Sequence, residues 1–129
     1  MKKTVAALLC LILAVSLTGC GKYVSSYKAV GFVHSNEKSS AFMSFISFEG
    51  TMVFKLKSSA GAKLKYTAGL ESGKAKVCLD LNGTVTELFS LQSGDKTDSQ
   101  QASVAAGTVY IIVETDGECR NGQLRFSLE

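Results

Sequence analysis

From Ala41 onward, apolar residues return at every second position in short segments, and Gly, Asn, Asp and Ser separate one segment from the next. In residues 51–58 the recurring set is Met52, Phe54 and Leu56, with Lys55 and Lys57 on the other parity. Residues 63–70 give Leu64, Tyr66, Ala68 and Leu70, and residues 74–81 give Ala75, Val77, Leu79 and Leu81. Near the end come Val109, Ile111 and Val113, then Leu124, Phe126 and Leu128. Successive strand side chains point to opposite faces, so a period of two predicts antiparallel strands buried on one face. No segment here sustains a helical period. Residues 41–48, AFMSFISF, are apolar on both parities, which predicts a central strand or one covered on both sides.

Turn chemistry falls between these segments. Asn82-Gly83 tolerates positive φ at both positions, the requirement of a two-residue hairpin. Residues 58–61 and 71–73 also read as turns, and residues 115–122, TDGECRNG, as a longer hairpin end. QSGDKTDSQQ, residues 92–101, reads as a polar loop before a short strand at residues 102–105. Roughly seven to nine short strands without a helix predict an all-β chain with a single antiparallel β-sandwich, jelly-roll or immunoglobulin-like. A closed barrel is the alternative.

The first residues follow other rules. Lys2 and Lys3 precede an uncharged stretch from Thr4 to Leu17, and small residues then lead into Cys20. A spanning helix needs about 20 apolar residues. This run is shorter, and its basic start and small-residue end are those of a secretory signal. Leu17-Thr18-Gly19-Cys20 resembles the lipobox of bacterial lipoproteins. The resemblance implies a diacylglycerol thioether on Cys20 and cleavage before it. Two acyl chains hold a protein stably on a bilayer, so the implied location is the cell membrane or outer membrane, facing outside the cytoplasm. The expected organisation is a signal peptide over residues 1–19, a lipidated N-terminus and tether over 20–40, and the sandwich over 41–129. The tether, rich in Ser and Lys, has room for one short strand around residues 29–34.

Cleavage changes the charge. The whole chain carries a formal +3 from 14 basic and 11 acidic residues. Lys2 and Lys3 leave and every acid stays, so the mature chain is near +1. A nucleic-acid partner, which a strongly basic domain would signal, loses its support. Residues 51–76 hold six lysines against Glu71, whereas residues 77–129 hold eight acids against Lys96, Arg120 and Arg125. A basic face towards anionic headgroups or wall polymers is one reading of this asymmetry. Outward lysines that keep strands soluble and unpaired are the other, favoured here.

Candidate chemistry is sparse. His34 is the only histidine, so a hydrolase built on a Ser-His or Cys-His pair would have to use it, and a several-histidine zinc site cannot be assembled. Cys78 and Cys119 survive cleavage unmodified. In an oxidising compartment the expectation is a disulfide between them, although spacing alone does not bring the sulfurs together. Asp80 with Asn82, Asp95 with Asp98, and Glu114 with Asp116 and Glu118 have oxygen atoms suited to calcium. All of them sit where turns favour Asp and Asn, and neither a metal nor any other cofactor is assigned. Trp is absent. Phe42, Phe45, Phe48, Phe54, Phe89 and Phe126 read as core, which leaves Tyr110, outward on its strand, as the candidate ligand-binding ring.

The order of segments resembles the small jelly-roll sandwiches of secreted bacterial enzymes, among them prepeptidase C-terminal domains and carbohydrate-binding modules. The resemblance lies in Phe48, Gly50, Phe54 and Leu56, in the LDLNG turn, and in AAGTVYIIVE. It implies a fold and no catalytic residue. The functional expectation is a lipid-anchored, non-catalytic binding domain with an envelope glycan or protein as partner. An accessory module or small hydrolase using the late carboxylates, and a structural or inhibitory envelope lipoprotein, are the alternatives.

Overall fold

The computed structural model describes residues 23–129, without the side chains of Asp98 and Ser99. The signal peptide and Cys20 lie outside the described residues. Nine strands follow one another: β1 (Ser26–Val30), β2 (Val33–Asn36), β3 (Ser40–Ser58), β4 (Lys63–Ser72), β5 (Ala75–Leu81), β6 (Thr84–Leu91), β7 (Lys96–Ser103), β8 (Gly107–Thr115) and β9 (Cys119–Leu128). Every pairing is antiparallel, in the order β6-β5-β8-β3-β9-β4-β7, with β1 and β2 also on β3.

β3 makes this ladder a sandwich. Its first half pairs with β9, from Ser40 opposite Ser127 to Phe48 opposite Cys119. Its second half pairs with β8, from Thr51 opposite Glu114 to Ser58 opposite Gly107. Ala41, the partner of Phe126, precedes Phe54 by thirteen residues, a span of about 43 Å in a straight strand. The Phe54 and Phe126 rings nevertheless lie 6.3 Å apart, so β3 folds back on itself. Tyr66 of β4 also stacks on Phe89 of β6, at 4.9 Å. The two halves, β1/β2-β3-β9-β4-β7 and β3-β8-β5-β6, therefore face each other across one core. Gly50 lies at the bend with φ of 132°, and a Cβ there would run into the backbone oxygen of Ser26. Only glycine fits that approach.

The expected inward sets are those that fill the core. Met52, Phe54, Leu56, Leu64, Ala68, Leu70, Val77, Leu79, Val109, Ile111, Val113, Leu124 and Phe126 are all buried. The Asn82-Gly83 turn is as read, with positive φ at both residues. β3 is central, between β8 and β9.

Three expectations change. Residues 26–36 belong to the sheet as β1 and β2 rather than to a tether, because they cover an edge of β3. Where β3 turns over, the same segment continues along its second half. Val53 N donates to Ser25 Oγ, Lys55 N to Asn36 Oδ1 and Lys57 N to the Lys38 carbonyl, at 2.9, 2.9 and 2.8 Å. Alternate residues of a strand direct their amides to the same side, so this row is the side of β3 that β8 leaves open. The polar run read as a loop contains β7, an edge strand held by backbone pairing to β4. The disulfide is not made: Cys78 and Cys119 are free thiols. Cys119 is in the core, while Cys78 takes the opposite parity to Val77 and Leu79 and points outward.

Candidate functional site

The outer face of the β3-β9-β4 half is crossed by two adjacent rows of cross-strand neighbours. One row runs Ser35, Phe42, Arg125, Thr67 over β2, β3, β9 and β4. The next runs Ser40, Ser127, Lys65, Gln101 over β3, β9, β4 and β7. These residues, with Glu37 at one end, line an open groove of about 660 Å³. Strands are about 4.8 Å apart, so each row of four spans about 14 Å.

Each row exists because of strand parity. Ala41, Met43 and Phe45 turn into the core, so Phe42 turns out. Phe42 therefore does not join the core as the sequence pattern implied. The Arg125 guanidinium lies 4.5 Å from its ring centroid, a cation–π contact of about 0.5–1 kcal/mol at an exposed site. That contact keeps the Arg125 guanidinium beside Phe42 in the groove. Lys65 Nζ lies 3.1 Å from Glu129 Oε1 with both side chains half exposed, a pair that adds little to stability. Ser40 Oγ donates to Glu37 Oε2 at 3.2 Å. The lining thus combines hydroxyl and amide groups that both donate and accept, one aromatic face, and two cations against the single carboxylate of Glu37.

Tyr110 is in a different place. It points outward on β8 in the opposite half, opposite Asp80 on β5. The Tyr23 ring packs edge-on against it at 5.1 Å, and the Tyr23 hydroxyl donates to Asp80 Oδ2. The ring read as an open platform is covered by the chain's own N-terminal segment. Burial, then the hydrogen bond to Asp80 and its charge, push the Tyr23 phenol above its ordinary value.

The other sequence candidates are scattered. Asp80 accepts from Gly83 N at 2.9 Å and Asp95 from Gln92 N at 2.7 Å, both closing turns. The Asn82 amide donates to the Ala106 carbonyl, and Glu118 pairs with Arg120. Among the described residues no three His, Cys, Asp or Glu side chains converge as a metal site. His34 is exposed on β2 and stacks on Phe32 at 4.7 Å. The lysines divide between the two outer faces, Lys55, Lys57 and Lys76 on one and Lys65 on the other. Burial raises the Cys78 and Cys119 thiols above their ordinary value. The groove itself went unread in the sequence. The one available signal was Ser44, whose polarity marks the outward parity that Phe42 shares.

No family model matches the chain, and no curated protein matches it. Among solved structures it is similar to a periplasmic inhibitor of g-type lysozyme from Aeromonas hydrophila, at 20% identity and a TM-score of 0.48, over 71% of this chain and 88% of that one. It is similar to the pre-peptidase C-terminal domain of a collagenase from Bacillus anthracis, at 16% identity and a TM-score of 0.48, over 74% and 91%. A family 29 carbohydrate-binding module is similar at 17% identity and a TM-score of 0.40, over 81% and 75%. These are likenesses of chain path at low identity, and nothing about ligand or activity passes from them to this chain.

Proposed function

We propose that this chain is a lipid-anchored, extracytoplasmic, non-catalytic binding domain whose groove takes a hydroxyl-rich envelope glycan bearing acidic groups. The observation that carries the reading is the groove's lining. Ser35, Ser40, Thr67, Ser127 and Gln101 match sugar hydroxyls as donors and acceptors, Phe42 offers a ring, and Arg125 offers a bidentate fork for a carboxylate or phosphate. The groove's open shape suits a polymer laid across strands. The late carboxylates support a hydrolase poorly, because Asp80, Asp95 and Glu118 are engaged in turns or a local ion pair.

The test is calorimetric titration of the domain with solubilised envelope saccharides, alongside Arg125→Ala and Phe42→Ala. Saturable binding that both variants weaken at least tenfold, with thermal unfolding little changed, is the expected result. No heat with any saccharide fraction, or full affinity in both variants, overturns the reading.

A further inference from the structure

The N-terminal strap carries an inference that rests on the anchoring reading and goes beyond it. Tyr23 is fixed to the outer face of the β3-β8-β5-β6 half through Asp80 and Tyr110, and Ser25 is fixed to Val53. Only Gly21 and Lys22 separate Tyr23 from Cys20. Three residue steps reach at most about 11 Å when fully extended. A tether running from residue 20 to residue 40 would reach about 70 Å and leave orientation free. Here the sheet has taken up nearly all of that length.

We infer that the acyl anchor on Cys20 holds the outer face of the β3-β8-β5-β6 half against the bilayer surface and turns the groove away from it. The groove is on the outer face of the opposite half, with the core between them, so one face cannot approach the lipid without the other receding. Charge does not select the face, because Lys55, Lys57 and Lys76 are accompanied by Glu87 and Glu114. Apolar exposure does not select it either, since Val85 lies on this side opposite Asp80 while Val30, Val33 and Ile46 belong to the groove half. The short leash selects it. The partner of the groove is then an envelope component reached from the outside, not the membrane that holds the domain.

The chain has no Trp, so single reporters are clean. The acylated protein carrying Val85→Trp or Gln101→Trp is reconstituted in phosphatidylcholine vesicles with nitroxide-labelled headgroups, and acylation of each sample is checked by mass. The expected result is several-fold stronger quenching at position 85 than at 101. Inserting ten Gly/Ser residues between Lys22 and Tyr23 leaves the clamp intact and should erase the contrast. Acylated protein quenched equally at both positions, or more at 101, overturns the orientation and leaves the anchor standing. A chain that carries no acyl group overturns the anchor and the orientation together.

Discussion

The Tyr23 hydroxyl donates a hydrogen bond to a carboxylate 57 residues away, that of Asp80, which is only 1% exposed on the outer face of β5. A buried carboxylate without donors is costly. Asp80 has the Tyr23 hydroxyl and, from its own turn, the Gly83 amide. One side chain thereby closes the Asn82-Gly83 hairpin and seats the N-terminal segment across β5 and β8. The contact joins the first described residue to the end of β5, which makes that segment part of the domain.

This linkage has a defined pH signature. The Tyr23 phenol is raised in the folded protein by burial and by Asp80. Above about pH 10, the ordinary tyrosine value, the unfolded chain releases a proton that the folded chain keeps. The contribution of this group is therefore complete below about pH 10 and is lost as the pH climbs towards the folded value. Tyr23→Phe should cost about 1.5–3 kcal/mol at neutral pH, the range for a hydrogen bond to a charged group, and should flatten the alkaline fall. Urea unfolding of both proteins between pH 7 and 11 measures this. Parallel curves with no offset would show that the clamp contributes nothing.

The two thiols should behave differently from each other and remain unbonded. Cys119 is buried at the start of β9, where Sγ donates to the Lys74 carbonyl at 3.2 Å, and Cys78 is half-buried on the outer face. Burial raises both above the ordinary thiol value, so little thiolate, the reactive form, is present at neutral pH. Alkylation of the native protein followed by peptide mass mapping should label Cys78 slowly and Cys119 only after denaturation. A native mass lacking a pair of hydrogens, restored by reductant, would instead reveal a bond that requires one cysteine to change faces.

What the sequence made legible follows from how each strand is covered. Where one face packs on the core and the other is wet, as in β4, β5, β8 and the second half of β3, polarity alternates. Leu64, Val77, Ile111 and Phe54 could then be assigned inward. β7 carries no such alternation, because it is an edge strand joined to β4 by backbone bonds that leave no trace in side-chain polarity. β1 and β2 escaped for a related reason: what recruits them is the open edge of β3, a property of another segment. Phe42 misled because large apolar residues occupy both parities of this strand, and Ser44 alone hinted at the outward one. Phe45, three residues on, does turn inward, where its ring packs against Gly122 of β9 and leaves no room for a Cβ there.

The edge cover provided by residues 25–38 gives the last prediction. Asn36 satisfies both backbone groups of Lys55: its Oδ1 accepts from Lys55 N and its Nδ2 donates to the Lys55 carbonyl, each at 2.9 Å. A side-chain amide here imitates a paired strand residue, so a neighbouring chain finds no free donor or acceptor at that point. Asn36→Ala removes both bonds and leaves the Lys55 groups to water or to another strand. With the Nδ2 bond to the Glu37 carbonyl also gone, the net loss of these exposed hydrogen bonds should lower stability by about 1–3 kcal/mol. An uncovered edge is also a template for intermolecular pairing, so association should rise with protein concentration. Asn36→Asp separates the two effects, since it keeps the acceptor for Lys55 N and sets a negative charge against the carbonyl. It should lose stability while its charge discourages association. Light scattering over a concentration series, with urea unfolding of the same samples, reads both quantities. If Asn36→Ala stays monomeric and as stable as the parent, the segment lies along β3 without guarding it.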